Sequence, residues 1–410
     1  MNNLLYQAAQ THGTPAFVYF LDDVYARIAL IRSAYDNHFG VSYAMKCNPH
    51  PFLLQILMPR VDTLDISSGG ELALARKLHW PAHLISFTGP AKRPQDLRAA
   101  VDCNLGEVVL ESPREAADLS AIAGAAGKKQ GVLIRIAPKK LPKGFGVNMA
   151  GRPTQFGIDE EDLASAMDQI LPLPNLHIRG FHIYSGTQCL KPDAIAENYE
   201  IFMEIFRHAC STWNIIPEKL VFGSGMGIPY HEGDLPIDPR AIAPRILPQL
   251  KQMKGDPRFA RTQFLLETGR FLVGEAGIYV TRVISKKKSR GVTICMCDGG
   301  MNHHLGAAGH LGMVIHKPYR MFKVEPPSAA GALTGAPGDL HPVDLFGPLC
   351  TTIDVLGRNV KLPPMEIGDL LAIHCSGAYG PSASPNNFIS HDLPKEIFIE
   401  GGQILLPANF

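Results

Sequence analysis

The sequence predicts an α/β chain in two parts, a (β/α)8 TIM barrel and a C-terminal antiparallel β-barrel domain. Three observations carry that expectation. Eight short apolar, β-branched runs recur through the first two-thirds of the 410 residues, each but the last followed by a longer amphipathic stretch. Alternation of this kind implies parallel strands covered by helices, and eight repeats close a barrel. After about Arg270 the texture changes to strand-like runs that follow one another closely, broken by Pro and Gly as in 326–338, which reads as antiparallel sheet. The opening run 15–19 is also strand-like and precedes the first barrel helix, so it can join the second domain. The expected division is 23–275 for the barrel, with 1–22 and 276–410 as the β domain.

In chain order the barrel strands are expected at 41–45, 61–65, 84–88, 107–110, 132–136, 178–183, 220–222 and 264–267. Helices between them are expected at 70–77, 94–101, 113–123, 162–170 and 197–213, the stretches with amphipathic spacing. In the second domain the strand-like runs are 278–284, 291–297, 312–315, 350–355, 369–374 and 396–398. There is no internal repeat and no low-complexity tract.

The composition, 46% hydrophobic and 19% charged, is that of a globular protein with a large core. A net charge of +1 recommends neither nucleic acid nor an anionic membrane as partner. The one basic run, Lys286-Lys287-Lys288-Ser289-Arg290, reads as a solvated hairpin tip. The N-terminus lacks a basic region leading into an apolar one, so no signal peptide is expected. No segment approaches the ~20 uninterrupted apolar residues that span a bilayer. Eight cysteines are scattered, and Cys295-Met296-Cys297 lacks the two-residue gap of a zinc or thioredoxin motif. Reduced thiols in a cytoplasmic protein are expected.

In a TIM barrel the reacting groups project from the C-terminal ends of the strands. The first strand delivers Lys46 there, in Tyr43-Ala44-Met45-Lys46-Cys47-Asn48-Pro49; the second delivers Asp65, the fifth Arg135, the sixth His182, the seventh Gly223 and the eighth Glu267. Taken singly, each charged residue among them reads better as a rim salt bridge; the constellation is what points to a site. A lysine buried at a barrel mouth is costly as a bare ammonium, and an aldehyde cofactor removes that cost by taking the amine into a covalent link. The stretch Phe222-Gly223-Ser224-Gly225-Met226-Gly227-Ile228 follows strand seven, where a barrel commonly holds phosphate on backbone N–H groups. Alone it would read as a tight turn. It has no Gly-Lys-Ser/Thr of a Walker A loop, and it comes too late in the chain for a dinucleotide fingerprint.

Together these motifs resemble the fold-type III pyridoxal-5′-phosphate (PLP) decarboxylases, the family of ornithine and diaminopimelate decarboxylases, over 15–398. Tyr43-Ala44-Met45-Lys46 resembles the family's cofactor-lysine motif. The run from Asp65 through Gly69-Gly70 to Glu71 resembles its acidic segment beside the cofactor. Phe181-His182 through Ser185-Gly186 resembles the strand whose histidine stacks on the pyridine ring. Gly223-Ser224-Gly225-Met226-Gly227 resembles the phosphate loop, and Glu267-Thr268-Gly269-Arg270 the family's Glu-Pro-Gly-Arg. Cys297-Asp298-Gly299-Gly300-Met301, Gly347-Pro348-Leu349-Cys350 and Gly377-Ala378-Tyr379 resemble landmarks of its β domain. The resemblance implies an alanine racemase-like barrel and PLP on Lys46. It implies Glu267 facing the ring nitrogen, His182 stacked on the ring and Arg135 near its phenolic oxygen. Ser185, Gly225, Arg270 and Tyr379 would hold the phosphate, with Asp65, Gly223, Ser224 and Gly269 around the cofactor. Cys350 would come from a second chain to protonate the product, so a homodimer with shared sites is implied.

Alanine racemases share the barrel but take a tyrosine from the partner; Gly347-Pro348-Leu349-Cys350 is the decarboxylase pattern. Ornithine and diaminopimelate enzymes follow that cysteine with an acid, whereas here Thr351 follows, with Asp354 nearby. The Arg-Pro-Ala-Leu-Tyr-like segment of diaminopimelate enzymes is replaced by Asn302-His303-His304-Leu305-Gly306-Ala307-Ala308-Gly309. A free distal charge on the substrate would lose a partner worth ~1.5–3 kcal/mol. The segments 149–158, 347–351 and 380–391 are similar to decarboxylases of specialised metabolism. That branch includes enzymes of butirosin assembly, acting on carrier-bound glutamate, and of a citryl-diaminopropionate siderophore precursor. An acylated or carrier-tethered amino acid is therefore the expected substrate, with Thr351, Asp354 and His304 lining its site and the small residues 306–309 leaving room for its tail. The alternatives are a diaminopimelate, ornithine or lysine decarboxylase, and a non-catalytic PLP-binding paralogue. His303, His304 and His310 lack carboxylate support for a metal, and none is assigned.

Overall fold

The computed structural model describes residues 1–311, 316–327 and 340–405. They divide into two compact units, 27–228 with 236–269, and 1–26 with 229–235 and 270 onward. The stretch 229–235, expected inside the barrel, groups with the β unit. There the Tyr230 carbonyl accepts from the Arg320 N–H at 2.9 Å and its ring packs on Tyr319 at 4.5 Å.

The first unit is a closed parallel barrel. Its strands are Gly40–Ala44, Thr63–Ile66, Ile85–Phe87, Glu107–Leu110, Gln130–Ala137, Leu176–Ile183, Lys219–Gly223 and Gln263–Thr268, and Glu267 pairs with Ser42 to close the ring. Side chains alternate with period two along each strand, so the inward face is built in layers. At the N-terminal end the Lys219 ammonium donates to both oxygens of the buried Glu107 at 2.9 Å, and Arg179 adds a third bond at 2.9 Å. Above it Val109, Leu133, Val221 and Leu265 form a dry cluster. Two residues further along three of these strands come Glu111, Arg135 and Glu267, a polar layer at the C-terminal mouth. Helices start where a side chain takes up orphan N–H groups: Ser68 before Gly69–Lys77, Ser112 before Pro113–Ala125 and Asp238 before Pro239–Gly255.

The second unit is a curled sheet. Ala16–Phe20 runs antiparallel to Gly277–Ser289 and parallel to Lys395–Glu400, so the opening run does join this unit. The sheet is predominantly antiparallel, though Val292–Cys297 also pairs parallel with His341–Phe346. Helix Asn2–His12 packs Leu5, Ala8 and Ala9 against Val18, Val280 and Ile397. Two expectations are corrected. The run 350–355 is a turn, with the strand Val355–Leu362 starting only at its end, because Asp354 spends its side chain on loop N–H groups. Lys286, Lys287 and Lys288 lie within a strand, and the hairpin tip is only Arg290-Gly291, both at positive φ. The expected strand 312–315 lies outside the described residues.

Candidate active site

The polar layer of the barrel brings together Lys46, Asp65, Arg135, His182 and Glu267. Lys46 sits on a single turn, Met45–Cys47, directly after strand one, with Nζ 5.5 Å from the centre of the Tyr184 ring. Its charge acts on Asp65, Glu71 and Glu267. His182 Nε2 lies 2.8 Å from Glu267 Oε2, both side chains buried. Burial, then the Glu267 charge, holds Asp65 well above the usual carboxylate range. Burial also opposes ionisation of Glu267, but the His182 charge and hydrogen bond, helped by Lys46 and Arg135, outweigh it and keep that carboxyl below its ordinary value. The surroundings thus favour the neutral form of Asp65 and the ionised form of Glu267. Arg135 donates to Glu111 at 2.7 Å and stacks on Phe156 at 4.7 Å.

Beside this layer the exits of strands six and seven form a cradle. Ser185 is buried and donates to Asn198 Oδ1 at 2.7 Å. The Ser224 N–H donates to the Glu267 carbonyl at 2.9 Å, and the Ser224 carbonyl accepts from the Tyr199 hydroxyl at 2.8 Å. Gly225 has φ +66°, and a Cβ there would come within 2.5 Å of Phe145 Cζ, so both backbone and space demand glycine. Gly223 ends strand seven with no room for a Cβ against Tyr184 Cδ2, and one on Gly269 would lie 2.7 Å from Cys47 Sγ.

The remaining predicted residues lie in the β unit. Arg270 stacks on Tyr379 at 4.7 Å and donates to the Tyr230 hydroxyl at 2.5 Å. Among the described residues Cys350 is the one exposed cysteine of eight. Asp354 is buried; its Oδ1 accepts from the Met301 N–H at 2.6 Å and its Oδ2 from the Leu349 N–H at 2.8 Å. Both oxygens thus tie together the loop after Asp298 and the loop that carries Cys350. His304 is buried, with Nδ1 accepting from the Ala307 N–H at 3.2 Å and Nε2 facing Ser376 Oγ at 3.0 Å. His303 Nε2 likewise faces the Asp392 carbonyl at 2.9 Å. Over 306–309 a Cβ on Gly309 would lie 2.5 Å from His316 Cδ2 and Ala307 and Ala308 are buried, while an open pocket borders Ala308, lined also by His310, His316 and Ile353.

Sequence reasoning missed Thr88, Glu111, Phe145, Asn198 and Tyr199. Thr88 donates to Asp65 Oδ1 at 2.5 Å, and Glu111 holds Arg135 together with the Gly157 N–H at 2.6 Å. Both stand at strand ends, three and four, where the search that found Lys46 would have found them. Phe145, Asn198 and Tyr199 arrive from a distant loop and helix and carry no local signal.

Among the described residues of the barrel unit, seven buried side-chain atoms lack a hydrogen-bond partner: Asp65 Oδ2, His182 Nδ1, Asn198 Nδ2 and Thr268 Oγ1 at the mouth and its cradle, and Tyr35 Oη, Thr63 Oγ1 and Trp80 Nε1 elsewhere. Unpaired polar atoms are rare in a protein interior, and their concentration around a lysine and a glycine cradle fits a polar, phosphate-bearing aldehyde. A closed parallel barrel furnished in this way defines a pyridoxal-phosphate enzyme. The comparisons narrow the class. The family described as "Pyridoxal-dependent decarboxylase, pyridoxal binding domain" matches residues 21–274, and the chain belongs to it. It is similar to the L-glutamyl-[BtrI acyl-carrier protein] decarboxylase of Niallia circulans, 33% identical across 95% of this chain and 89% of that one. It is 28% identical to the 2-[(L-alanin-3-ylcarbamoyl)methyl]-2-hydroxybutanedioate decarboxylase of Staphylococcus aureus, over 95% of each chain. It shares its fold with the solved diaminopimelate decarboxylase of Helicobacter pylori complexed with L-lysine, TM-score 0.83 at 24% identity, covering 98% of this chain and 95% of that one. The protein is a PLP-dependent carboxy-lyase. No helix among the described residues is long and apolar enough to cross a membrane.

Proposed function

We propose that the enzyme decarboxylates an amino acid whose far end is acylated or tethered to a carrier, in siderophore or other specialised-metabolite biosynthesis. It would act in the cytoplasm as a homodimer with shared sites. The observation that carries this reading is the lack of a free acid for a distal amine beside Cys350: Thr351 is uncharged, and Asp354 already spends both oxygens on the Met301 and Leu349 N–H groups. A second free ammonium, as on ornithine or lysine, would find no charge-assisted partner there. The two relatives named for an acyl-carrier-bound glutamyl group and for a carbamoyl-linked hydroxybutanedioate favour it as well.

In this reading Lys46 holds the aldehyde carbon, and Ser185, Ser224, Gly225, Arg270 and Tyr379 hold the phosphate. When bound, PLP supplies an electron-poor ring that accepts the electron pair left at Cα as CO2 departs. Glu267, kept ionised by His182, holds a proton on the ring nitrogen. Asp65, whose neutral form burial and the Glu267 charge favour, stands beside the lysine. Cys350, on the exposed loop of the second chain, delivers a proton to Cα.

Rates of CO2 release across a panel test the substrate. An N-acylated or carrier-bound amino acid with an anionic tail is expected to exceed free ornithine, lysine and diaminopimelate by roughly ten-fold or more in kcat/KM, the worth of one charge-assisted contact. Efficient turnover of any of the three free amino acids would overturn the proposal.

A further inference from the structure

Two limbs of the glycine cradle are held from behind by consecutive residues of one helix. Asn198 and Tyr199 lie in Pro192–Thr212, and both are buried. Tyr199 fixes the limb after strand seven: its hydroxyl donates to the Ser224 carbonyl at 2.8 Å while the Ser224 N–H donates to the Glu267 carbonyl at 2.9 Å, so the peptides on both sides of Ser224 are anchored. Asn198 faces the limb after strand six, accepting the Ser185 hydroxyl on Oδ1 at 2.7 Å. Its Nδ2 is buried and, among the described residues, has no acceptor. A buried amide N–H2 without a partner is costly, and this atom marks the arrangement as incomplete.

A phosphate presents only acceptors. Ser185 has a single O–H to give, and here Asn198 takes it. Half a turn of the carboxamide exchanges its oxygen and nitrogen within nearly the same volume. Nδ2 then donates to Ser185 Oγ, and the serine proton is released toward the cradle. We propose that Asn198 is a positioning residue for the phosphate of PLP. Its amide changes from acceptor to donor toward Ser185 when the phosphate binds, while Tyr199 keeps the Ser224 limb in place. The proposal rests on the assignment of Ser185 to the phosphate made above.

The test compares apo-protein affinities for PLP and for pyridoxal, which lacks the phosphate, by visible-absorbance titration. Ser185→Ala and Asn198→Ala are each expected to weaken PLP roughly ten-fold, the worth of one hydrogen bond to a charged group, and to leave pyridoxal unchanged. Because Asn198 acts through Ser185, the double variant should bind PLP no more weakly than Ser185→Ala alone. Asn198→Asp keeps the volume but can only accept, so it should lose PLP affinity at least as strongly as the alanine variant; it carries the test should Asn198→Ala not fold. Equal losses for PLP and pyridoxal, or a double variant whose losses multiply, would reduce Asn198 to packing and overturn the proposal. If Ser185→Ala itself does not distinguish the two ligands, the phosphate assignment fails first and takes this proposal with it.

Discussion

The barrel mouth and the loop cluster of the β unit both bury titratable side chains, but they satisfy them differently. In the barrel Asp65 Oδ2 and His182 Nδ1 are buried with no partner among the described residues. In the β unit both oxygens of Asp354 take backbone N–H groups and both ring nitrogens of His304 are engaged, although Asn302 Oδ1, Arg320 Nε and Asn386 Oδ1 there also lack a partner among the described residues. Burying a polar atom without a partner costs about 1–3 kcal/mol, so two such atoms on neighbouring titratable groups point to a ligand that completes them. The saturated groups hold loops in shape. The contrast separates a site under construction from a scaffold, although the two regions look equally polar as sequence.

Removing a group the ligand needs should abolish chemistry and spare the fold. Lys46→Ala is expected to lower CO2 release roughly a thousand-fold or more and to remove the visible absorbance of the holoenzyme. Cys350→Ala should also be inactive. If two chains share each site, mixing the two inactive variants should restore about a quarter of the wild-type rate, since half the dimers are mixed and each has one intact site. No recovery on mixing would place lysine and thiol in service of one chain's own site.

Removing a scaffold group should do the reverse. Asp354→Ala strands the Met301 and Leu349 N–H groups, a loss of about 2–4 kcal/mol in urea unfolding of the apo protein. Asp65→Asn keeps the size of a side chain whose neutral form burial favours, and should not destabilise the apo protein at pH 7 while impairing cofactor binding. Comparable stability losses from the two variants would erase the distinction.

How much of this was legible in the sequence follows the same division. Strands buried on both faces read as apolar runs whatever surrounds them, so the eight barrel strands and the residues at their ends could be placed. Helix Pro239–Gly255 went unseen because Pro244 and Pro248 interrupt it; its Asp238 cap and Pro239 start were the available signals. The run 350–355 looked like a strand because Thr and Ile are β-branched. One buried carboxylate, Asp354, decides otherwise by claiming N–H groups on two loops, and nothing local announces that. The same carboxylate stood as a candidate for binding substrate on the strength of its charge alone, and a charge does not say whether its partners are already present.

Acid should distinguish the two regions by sign. His304 is packed among Phe17, Tyr279 and Tyr319, and burial lowers its pKa from 6.5 to about 3. Between those values the unfolded chain binds the proton and the folded chain does not. Its contribution to stability is therefore intact above about 6.5 and falls by about 1.4 kcal/mol per pH unit below that. Asp65 runs the other way. Its folded pKa is raised, so its contribution is fully present below the ordinary carboxylate value and is lost as pH rises through the folded one. Unfolding free energies of the apo protein at pH 5 and pH 7 check both. Relative to His304→Gln, the wild type should lose about 2 kcal/mol on going to pH 5. Relative to Asp65→Asn it should gain over the same interval, because the waiting site prefers its proton and the scaffold refuses one. Parallel pH profiles for wild type and both variants would show that neither group is held in the protonation state its surroundings dictate.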